Sequence, residues 1–230
     1  TSPVVRDVKN NKQYFNQYHL HISLLSVDNH YVWTKFFANI LKKFTSAKKL
    51  YVIGPILWKN IKKDTKSIAI EKNILIFDVT ALTDEWKKMS GYSDVFYSYK
   101  NMKLFISDII ECKNSIKSLS DYKLILKPKR KALPQNDSKY INYLKMLESQ
   151  NNIMIIDSNT DIDIAIKNSS FIICIPFTSP LILANYLNKS SIYYDPTDSI
   201  ISYDAQEKFL IKGKKSLYKE LLKINKRDIC

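Results

Sequence analysis

Short apolar segments rich in isoleucine recur along the chain from residue 50 onward. They are LYVIGPIL (50–57), NILIFDV (73–79), YKLILK (122–127), NIMIID (152–157), FIICI (171–175) and SIYY (191–194). Segments that are apolar throughout, rather than alternating, are typical of strands buried on both faces of a parallel sheet. Helical patterns separate them, at 101–118, 137–149, 160–168, 180–188 and within 205–225. This alternation predicts a Rossmann-like, doubly wound α/β domain with a parallel sheet.

The beginning of the chain follows a different pattern. It is mostly polar and aromatic, and one stretch, NHYVWTKFFANILKKF (29–44), has apolar residues at the three- and four-residue spacing of a helix. Such a segment is too short to be a domain of its own. We therefore predict two parts: residues 1–49, a docking helix or the remnant of a further domain, and residues 50–230, the Rossmann-like domain.

The chain is strongly basic, with 36 lysines and arginines against 22 aspartates and glutamates and a formal net charge of +14. A positive surface favours anionic partners, which include nucleic acid, a membrane surface and phosphorylated small molecules. The charge does not choose among the three. Because many of the lysines stand in a background rich in isoleucine and asparagine, part of the excess can reflect biased composition, which weakens the case for nucleic acid.

Cysteine usage and hydropathy indicate a cytoplasmic protein. Cys112, Cys174 and Cys230 are far apart and odd in number, which disfavours a disulfide framework and offers no metal-ligand spacing. No apolar run approaches the roughly 18 residues of a membrane-spanning helix, and the polar start TSPVVRDVKNNK does not resemble a signal peptide. We expect a cytoplasmic location, with a basic surface that could contact the inner face of a membrane.

Glycine is scarce in this chain. Gly54, Gly91 and Gly213 are its glycines, and none lies in a glycine-rich turn. A P-loop and the dinucleotide-binding fingerprint both need such a turn, so the chain contains neither. Ligands of open parallel sheets bind beyond the carboxyl ends of the strands. The candidates are therefore the residues that directly follow the predicted strands, among them Thr80.

The segment PFTSP places two hydroxyl groups directly after a strand. Ser179 is well suited as the N-cap of the following helix, with Pro180 as its first residue. The N–H groups of Leu181 and Ile182 would then be free at that end of the helix. Together with the hydroxyls of Thr178 and Ser179 they could bind a phosphate without glycine. The alternative is an ordinary strand-to-helix turn that Ser179 caps.

The segment LILKPKRK places a second group of anion-binding residues at a strand end. Pro128 stops the strand, and the basic residues of this cationic turn are Lys127, Lys129, Arg130 and Lys131. Arginine can bind two phosphate oxygens at once, whereas lysine acts as a point charge. If this strand neighbours the one before Thr178, the cations could face the same anion. The alternative is a solvated basic loop.

Other polar residues are better explained without a metal. Asp161 and Asp163 form an Asp-x-Asp pattern, but acidic residues in the first turn of a helix also interact favourably with its dipole. His19 and His21 have no third ligand nearby in the sequence. His30 could act as a general base, although nothing in the sequence orients it. We expect no bound metal, and the sequence does not identify a catalytic base.

The segment IPFTSPLILANYLNKSSIYYDPT resembles the signature of the polysaccharide biosynthesis PFTS-motif proteins, a family regarded as bacterial glycosyltransferases of surface-glycan loci. The order of the residues, the helix that follows and the closing YYDP all match. LILKPKRK, ILIFDVTALT and YVIGPILW also resemble the C-terminal half of that family, so the resemblance covers roughly residues 50–200.

This resemblance implies the C-terminal, Rossmann-like half of a two-domain GT-B glycosyltransferase, with residues 1–49 as a remnant of the acceptor domain. It implies a nucleotide-sugar donor, a glycan acceptor, no metal and no other cofactor. Thr178 and Ser179 would contact the donor phosphate, and Thr80 would lie at the interdomain cleft. The residues that would supply positive charge are Lys127, Lys129 and Arg130. Related sialyl- and Kdo-transferases place a hydroxyl pair on a CMP phosphate, which favours a CMP-linked donor.

Two other functions stay open beside this one. The net charge fits a basic nucleic-acid-binding α/β domain, although no recognised binding motif is present and we expect no nucleic-acid partner. A nucleotide-sugar-binding protein without catalytic activity would fit the same residues. The leading hypothesis is metal-independent transfer of a sialic acid or Kdo-like sugar to a polysaccharide or lipopolysaccharide precursor. The sequence does not identify the oligomeric state.

Overall fold

The computed structural model describes most of the chain, with gaps. The described residues are 4–7, 12–15, 27–42, 47–54, 56, 61, 71–90, 98–176, 178–198 and 209–224. Predictions made for His19 and His21 lie outside the described residues, as do Gly91 and Cys230.

Before residue 55, the described residues form two small sheets. Strands β1 (Val4–Asp7) and β2 (Lys12–Phe15) pair antiparallel. Strand β3 (Asn29–Val32), helix α1 (Lys35–Leu41) and strand β4 (Lys49–Val52) form a βαβ unit, because β3 and β4 pair in parallel. Its buried apolar residues are Val32, Ala38 and Leu41, with Leu50 packed against them.

Two predictions for this region are wrong. The sequence predicts segment 50–57 as a strand of the large sheet, whereas β4 pairs with β3. It also predicts one helix over 29–44, whereas the structure has a strand and then the shorter α1. Tyr31 and Val32 have side chains that favour strands, so the helix begins only after Thr34. The predicted division between residues 49 and 50 falls inside β4 and stays a prediction.

Among the described residues, the large sheet has six strands, and all of them are parallel. The strands are β5 (Glu71–Phe77), β6 (Lys123–Lys127), β7 (Met154–Ile155), β8 (Ser169–Cys174), β9 (Ser191–Asp195) and β10 (Leu210–Lys212). Their order across the sheet is β10-β9-β8-β5-β6-β7. The chain therefore runs from β5 to one edge, returns to the centre at β8 and continues to the other edge. This is the order of a Rossmann-like doubly wound sheet.

Helices alternate with these strands, as the sequence predicts. They are α2 (Asp84–Ser90), α3 (Tyr99–Asn114), α4 (Ser138–Ser149), α5 (Ile162–Lys167), α6 (Ser179–Tyr186) and α7 (Lys214–Leu221). The helices predicted within 101–118, 137–149, 160–168 and 180–188 correspond to α3 to α6. The helix predicted within 205–225 corresponds to α7, and strand β10 precedes it in the same segment.

The two central strands, β5 and β8, form the middle of the core. Their fully buried residues are Ile74, Leu75, Ile76, Phe171, Ile172, Ile173 and Cys174. Phe105 of α3 is also fully buried, and its ring stacks on that of Tyr194 in β9 with centroids 5.8 Å apart. Burying a large apolar side chain contributes about 1.5–3 kcal/mol, so this core holds the carboxyl ends of the strands in fixed positions.

Candidate functional site

The order of the strands reverses between β5 and β8, and the candidate site lies at the carboxyl ends of these strands. Phe77 and Cys174, the last residues of the two strands, are partners in the ladder, and the Ile175 N–H donates to the Phe77 carbonyl at 3.3 Å. In doubly wound sheets, ligands bind in the crevice that such a reversal opens. The residues that follow β5 and β8 therefore lie where a ligand is expected.

The cationic turn and the hydroxyl groups of Thr178 and Ser179 lie at this same end of the sheet. Strand β6, which precedes the cationic turn, pairs with β5, and β5 pairs with β8, which precedes Thr178. The two strands are thus not direct neighbours but stand on either side of β5. Two strand spacings are about 10 Å, a separation that a nucleotide can span. The sequence places both groups at the carboxyl end correctly but does not predict the strand between them.

Helix α6 begins one residue differently from the prediction. Thr178, not Ser179, is the N-cap, and Pro180 follows Ser179 inside the first turn. The Thr178 hydroxyl donates to the carbonyl of Ile175 at 2.7 Å and makes no capping hydrogen bond within the described residues. Since Ser179 is exposed, this helix end offers a hydroxyl and a helix dipole without a side-chain cap.

Two buried tyrosines from the YYDP segment connect β9 to helices on opposite faces of the sheet, and one of them contacts this helix end. The Tyr193 hydroxyl donates to the Thr178 carbonyl at 2.8 Å. The next residue along the strand points to the opposite face, where the Tyr194 hydroxyl donates to Asp108 Oδ2 of α3 at 2.6 Å. Asp195 Oδ1 then accepts hydrogen bonds from the Thr197 N–H and hydroxyl. The segment thus ties β9 to α6 on one face and to α3 on the other.

At the end of β6, the cations have different environments. Lys127 is buried, and its ammonium donates to the Ser158 carbonyl after β7 at 2.6 Å. Burial lowers the pKa of Lys127, and the charge of Asp157 partly offsets this. Lys129 and Arg130 are exposed. Of the three cations predicted to bind phosphate, Lys127 therefore holds the loop after β7, whereas the other two stand at the surface.

The Lys129 ammonium is partly desolvated although its side chain as a whole is exposed. This desolvation, followed by the charge of Arg130, lowers the pKa of Lys129, and nearby Asp78 acts in the opposite sense. The positive charges of Lys129 and Arg130 repel each other. An anion bound beside them would be attracted by both charges. The pair is therefore a suitable electrostatic partner for a phosphate.

Asp78, the residue after β5, connects the ends of β5 and β6. It is 3% exposed, its Oδ1 accepts from the Lys129 N–H at 3.1 Å, and its Oδ2 accepts from the hydroxyl of Tyr140 in α4 at 2.7 Å. Burial raises the pKa of the Asp78 carboxyl, while these hydrogen bonds act to lower it. The sequence marks Asp78 only as a residue after a strand. Nothing local in it signals the contact with Tyr140.

Thr80 lies two residues further on and carries an unusual hydroxyl. The residue is 8% exposed, and its Oγ1 is buried with no hydrogen-bond partner among the described residues. An unpaired buried hydroxyl costs stability, so such a group at a strand end is a candidate for contact with a ligand. The sequence predicts Thr80 at this end of the sheet.

The acidic Asp-x-Asp pattern begins a helix. Asp161 is the N-cap of α5, and Asp163 forms an ion pair with Lys167 one turn later at 3.5 Å. Within the described part of the chain, no group of three or more histidine, cysteine, aspartate or glutamate side chains is arranged to hold a metal ion. Nor does that part contain a helix with the length and apolar character needed to cross a membrane.

The strand order and the alternating helices define the class of the protein as a Rossmann-like, doubly wound α/β protein. The crystal structure of TarM, a GT-B glycosyltransferase, is similar to it over 98% of this chain and 43% of TarM, with a TM-score of 0.54 and 11% sequence identity. The predicted fold class is therefore confirmed. The chain belongs to the family of polysaccharide biosynthesis PFTS motif proteins, whose family model matches residues 3–221.

The family match extends beyond the residues that carry the resemblance in the sequence. It reaches toward both ends of the chain, whereas the resemblance covers roughly residues 50–200. An N-acetyl-L-ornithine transcarbamylase structure has a TM-score of 0.32 and 9% identity over 89% of this chain and 68% of its own, too low to support an argument. No curated protein matches the sequence. The chain spans less than half of the length of TarM, at 43%.

Proposed function

We propose that this protein is a metal-independent GT-B glycosyltransferase, or the donor-binding part of one. It transfers a sugar from a nucleotide-sugar donor to a precursor of a bacterial surface polysaccharide or lipopolysaccharide. The donor class that we favour is a CMP-linked sugar of the sialic acid or Kdo type. Family membership and the fold shared with TarM support the general role, and the choice of donor rests on the resemblance of the PFTS segment.

One observation carries this proposal. At the reversal of the strand order, the N-terminus of α6 with its exposed Ser179 stands at the same end of the sheet as the exposed cations Lys129 and Arg130. Between them lies β5, and Thr80, three residues after its end, has a buried hydroxyl with no hydrogen-bond partner among the described residues. A helix N-terminus and an arginine both bind phosphate oxygens well. Because both stand at this end of the sheet, we favour a nucleotide that spans the end of β5, with its phosphate at the N-terminus of α6.

The proposed chemistry is electrostatic. When the bond between sugar and nucleotide breaks, negative charge grows on the departing phosphate, and fixed donors and cations around it stabilise the transition state. Lys129, Arg130 and the N-terminus of α6 would supply this stabilisation. The acceptor hydroxyl also needs a general base, and we assign no described residue to that role.

We further propose that transfer takes place at the cytoplasmic face of the bacterial membrane. The net charge of +14 would attract the anionic headgroups of lipids, so the protein would bind peripherally through its basic surface. The same charge would favour phosphorylated donors and lipid-linked acceptors. It does not require a nucleic-acid partner.

The intact protein is expected to melt at a higher temperature with CMP than with UDP or GDP. A ligand at about 100 times its Kd stabilises the folded state by about 2.7 kcal/mol, which raises the Tm of a protein of this size by roughly 5–10 °C. Thermal unfolding with each nucleotide, at equal concentration and salt, measures this shift.

The same experiment separates the competing functions. Absence of a shift with all three nucleotides, together with RNA binding that weakens steeply with salt, would contradict the transferase and favour the nucleic-acid-binding domain. A shift with a nucleotide, but no sugar transfer from its sugar conjugate to a glycan precursor, would favour the non-catalytic binding protein.

A further inference from the structure

The loop between β6 and α4, residues 128–137, is fixed at both of its ends, but by different means. Its far end pairs with the segment after β5: the Thr83 N–H donates to the Gln135 carbonyl at 3.0 Å, and the Asp137 N–H donates to the Ala81 carbonyl at 2.9 Å. Its near end, which carries Lys129 and Arg130, is held by the Asp78 carboxylate through the Lys129 N–H. Among the described residues, this hydrogen bond to the Asp78 side chain is the one that ties the cationic part of the loop to the segment after β5.

The Asp78 carboxylate is itself fixed from three sides. Besides the Lys129 N–H, it accepts hydrogen bonds from the Tyr140 hydroxyl and from the backbone of Thr80. Tyr140 is fully buried in α4, so the carboxylate has little freedom to move. It thereby links the end of β5, the cationic turn and α4.

We propose that Asp78 is a positioning residue for anion binding: it holds the turn that carries Lys129 and Arg130 against the end of β5, where these cations reach a phosphate bound at α6. The inference rests on the proposed function for the identity of the anion. Asp78 is buried and contacts the turn through its backbone, so it acts through Lys129 and Arg130 rather than by contact with the ligand.

A positioning role and a purely electrostatic role of Asp78 predict opposite changes in anion affinity when Asp78 is removed. If Asp78 acted only as a negative charge near the site, its removal would raise the affinity for an anion, because like charges repel. As a positioning residue, its removal lowers the affinity, because the turn is released and the cations lose their fixed geometry. The direction of the change in Kd therefore distinguishes the two roles.

The test is calorimetric titration of the intact protein with the nucleotide that gives the largest thermal shift. Asp78→Ala is expected to weaken binding about tenfold, the loss of roughly one charge-assisted hydrogen bond. In a protein that already carries Lys129→Gln and Arg130→Gln, the same substitution is expected to change Kd by less than about twofold, because coupled residues are non-additive. An unchanged or higher affinity in Asp78→Ala, or an equal loss in both backgrounds, would overturn the proposal.

Asp108→Ala is the matched control. Asp108 is also a buried carboxylate that accepts a hydrogen bond from a buried tyrosine, Tyr194, but it lies in α3, and within the described residues no hydrogen bond or ion pair joins it to the turn. It is expected to lower the Tm without changing the nucleotide Kd. If Asp78→Ala does not fold, Asp78→Asn retains the shape of the side chain and is tested in the same way, with a smaller loss of affinity expected.

A ligand-free measurement keeps this proposal separate from the proposed function. Hydrogen exchange of the Lys129 amide is expected to be slow in the wild type and fast in the Asp78 variants, while the Asp137 amide at the far end of the loop stays slow in both. If no nucleotide binds the wild type, the transferase proposal fails, and this exchange pattern alone decides whether Asp78 positions the turn. Equal protection of the Lys129 amide in wild type and variant would overturn it.

Discussion

Alanine at both Thr178 and Ser179 is expected to weaken nucleotide binding by the intact protein at least about tenfold, while the protein stays folded. The substitution removes the hydroxyl groups at the N-terminus of α6 that lie beside the phosphate in the proposed complex, and a hydrogen bond to a charged group contributes about 1.5–3 kcal/mol. Calorimetric titration measures the change in Kd, and circular dichroism checks the fold.

The two single variants, Thr178→Ala and Ser179→Ala, are expected to differ in how much nucleotide affinity they lose. The Thr178 hydroxyl is already bound to the Ile175 carbonyl at 2.7 Å, so Thr178→Ala should mainly lower the free energy of unfolding, by about 1 kcal/mol. Ser179 is exposed at the first helical position, so Ser179→Ala should carry most of the loss in affinity.

Ser138→Ala is the matched control for Ser179→Ala. Ser138 is the first residue of α4, directly after an N-cap, as Ser179 is in α6, but its helix is capped by the Asp137 carboxylate, which accepts from the Lys139 N–H at 2.8 Å. We expect no change in Kd for Ser138→Ala. Equal losses in the two variants, or none in the Thr178 and Ser179 double variant, would remove α6 from the site.

Phe105→Ala is expected to lower the free energy of unfolding by about 3–5 kcal/mol, the usual cost of a large cavity in a core. Phe105 is fully buried between α3 and the sheet and stacks on Tyr194. Its loss therefore removes apolar burial and loosens the tyrosine that connects β9 to α3. Equilibrium unfolding in denaturant measures the change.

The neighbouring residue provides the control for this effect. Leu104 lies on the same helix but is 37% exposed. Leu104→Ala should therefore cost less than about 1 kcal/mol. Similar losses for the two variants would show that α3 does not pack on the sheet as described.

The large sheet could be predicted because its strands are buried on both faces. From Asn73 onward in β5 and from Phe171 onward in β8 every position is buried, so runs such as ILIF and FIIC carry an unambiguous signal. The segment LYVIGPIL, which contains most of β4, is also apolar, yet β4 pairs with β3. Hydropathy reports that a strand is present but not which strand it pairs with.

Local chemistry predicted part of the candidate site. The hydroxyls of PFTSP and the cations of KPKR are recognisable because each follows a strand, and parallel strands bring their carboxyl ends to one edge. The choice of N-cap was wrong by one residue, since Thr178 and Ser179 are both good caps and local sequence does not separate them. Whether these residues bind a nucleotide stays a prediction.

Contacts between distant residues could not be predicted. The hydrogen bond of Tyr140 to Asp78 joins residues 62 positions apart, and Lys127 donates to a carbonyl 31 positions away. The sequence therefore counts Lys127 among the phosphate-binding cations, whereas its ammonium holds the loop after β7. Sequence alone likewise gives no reason for the two tyrosines of YYDP, which the structure explains by their contacts on opposite faces of the sheet.

A crystal structure of the intact protein with bound CMP would show whether the ends of β5 and β8 form a nucleotide site. We expect the phosphate at the N-terminus of α6, within hydrogen-bond distance of Ser179 and of Arg130 or Lys129, across the end of β5. A phosphate bound at the amino ends of the strands, or on the unit formed by β3, α1 and β4, would contradict it.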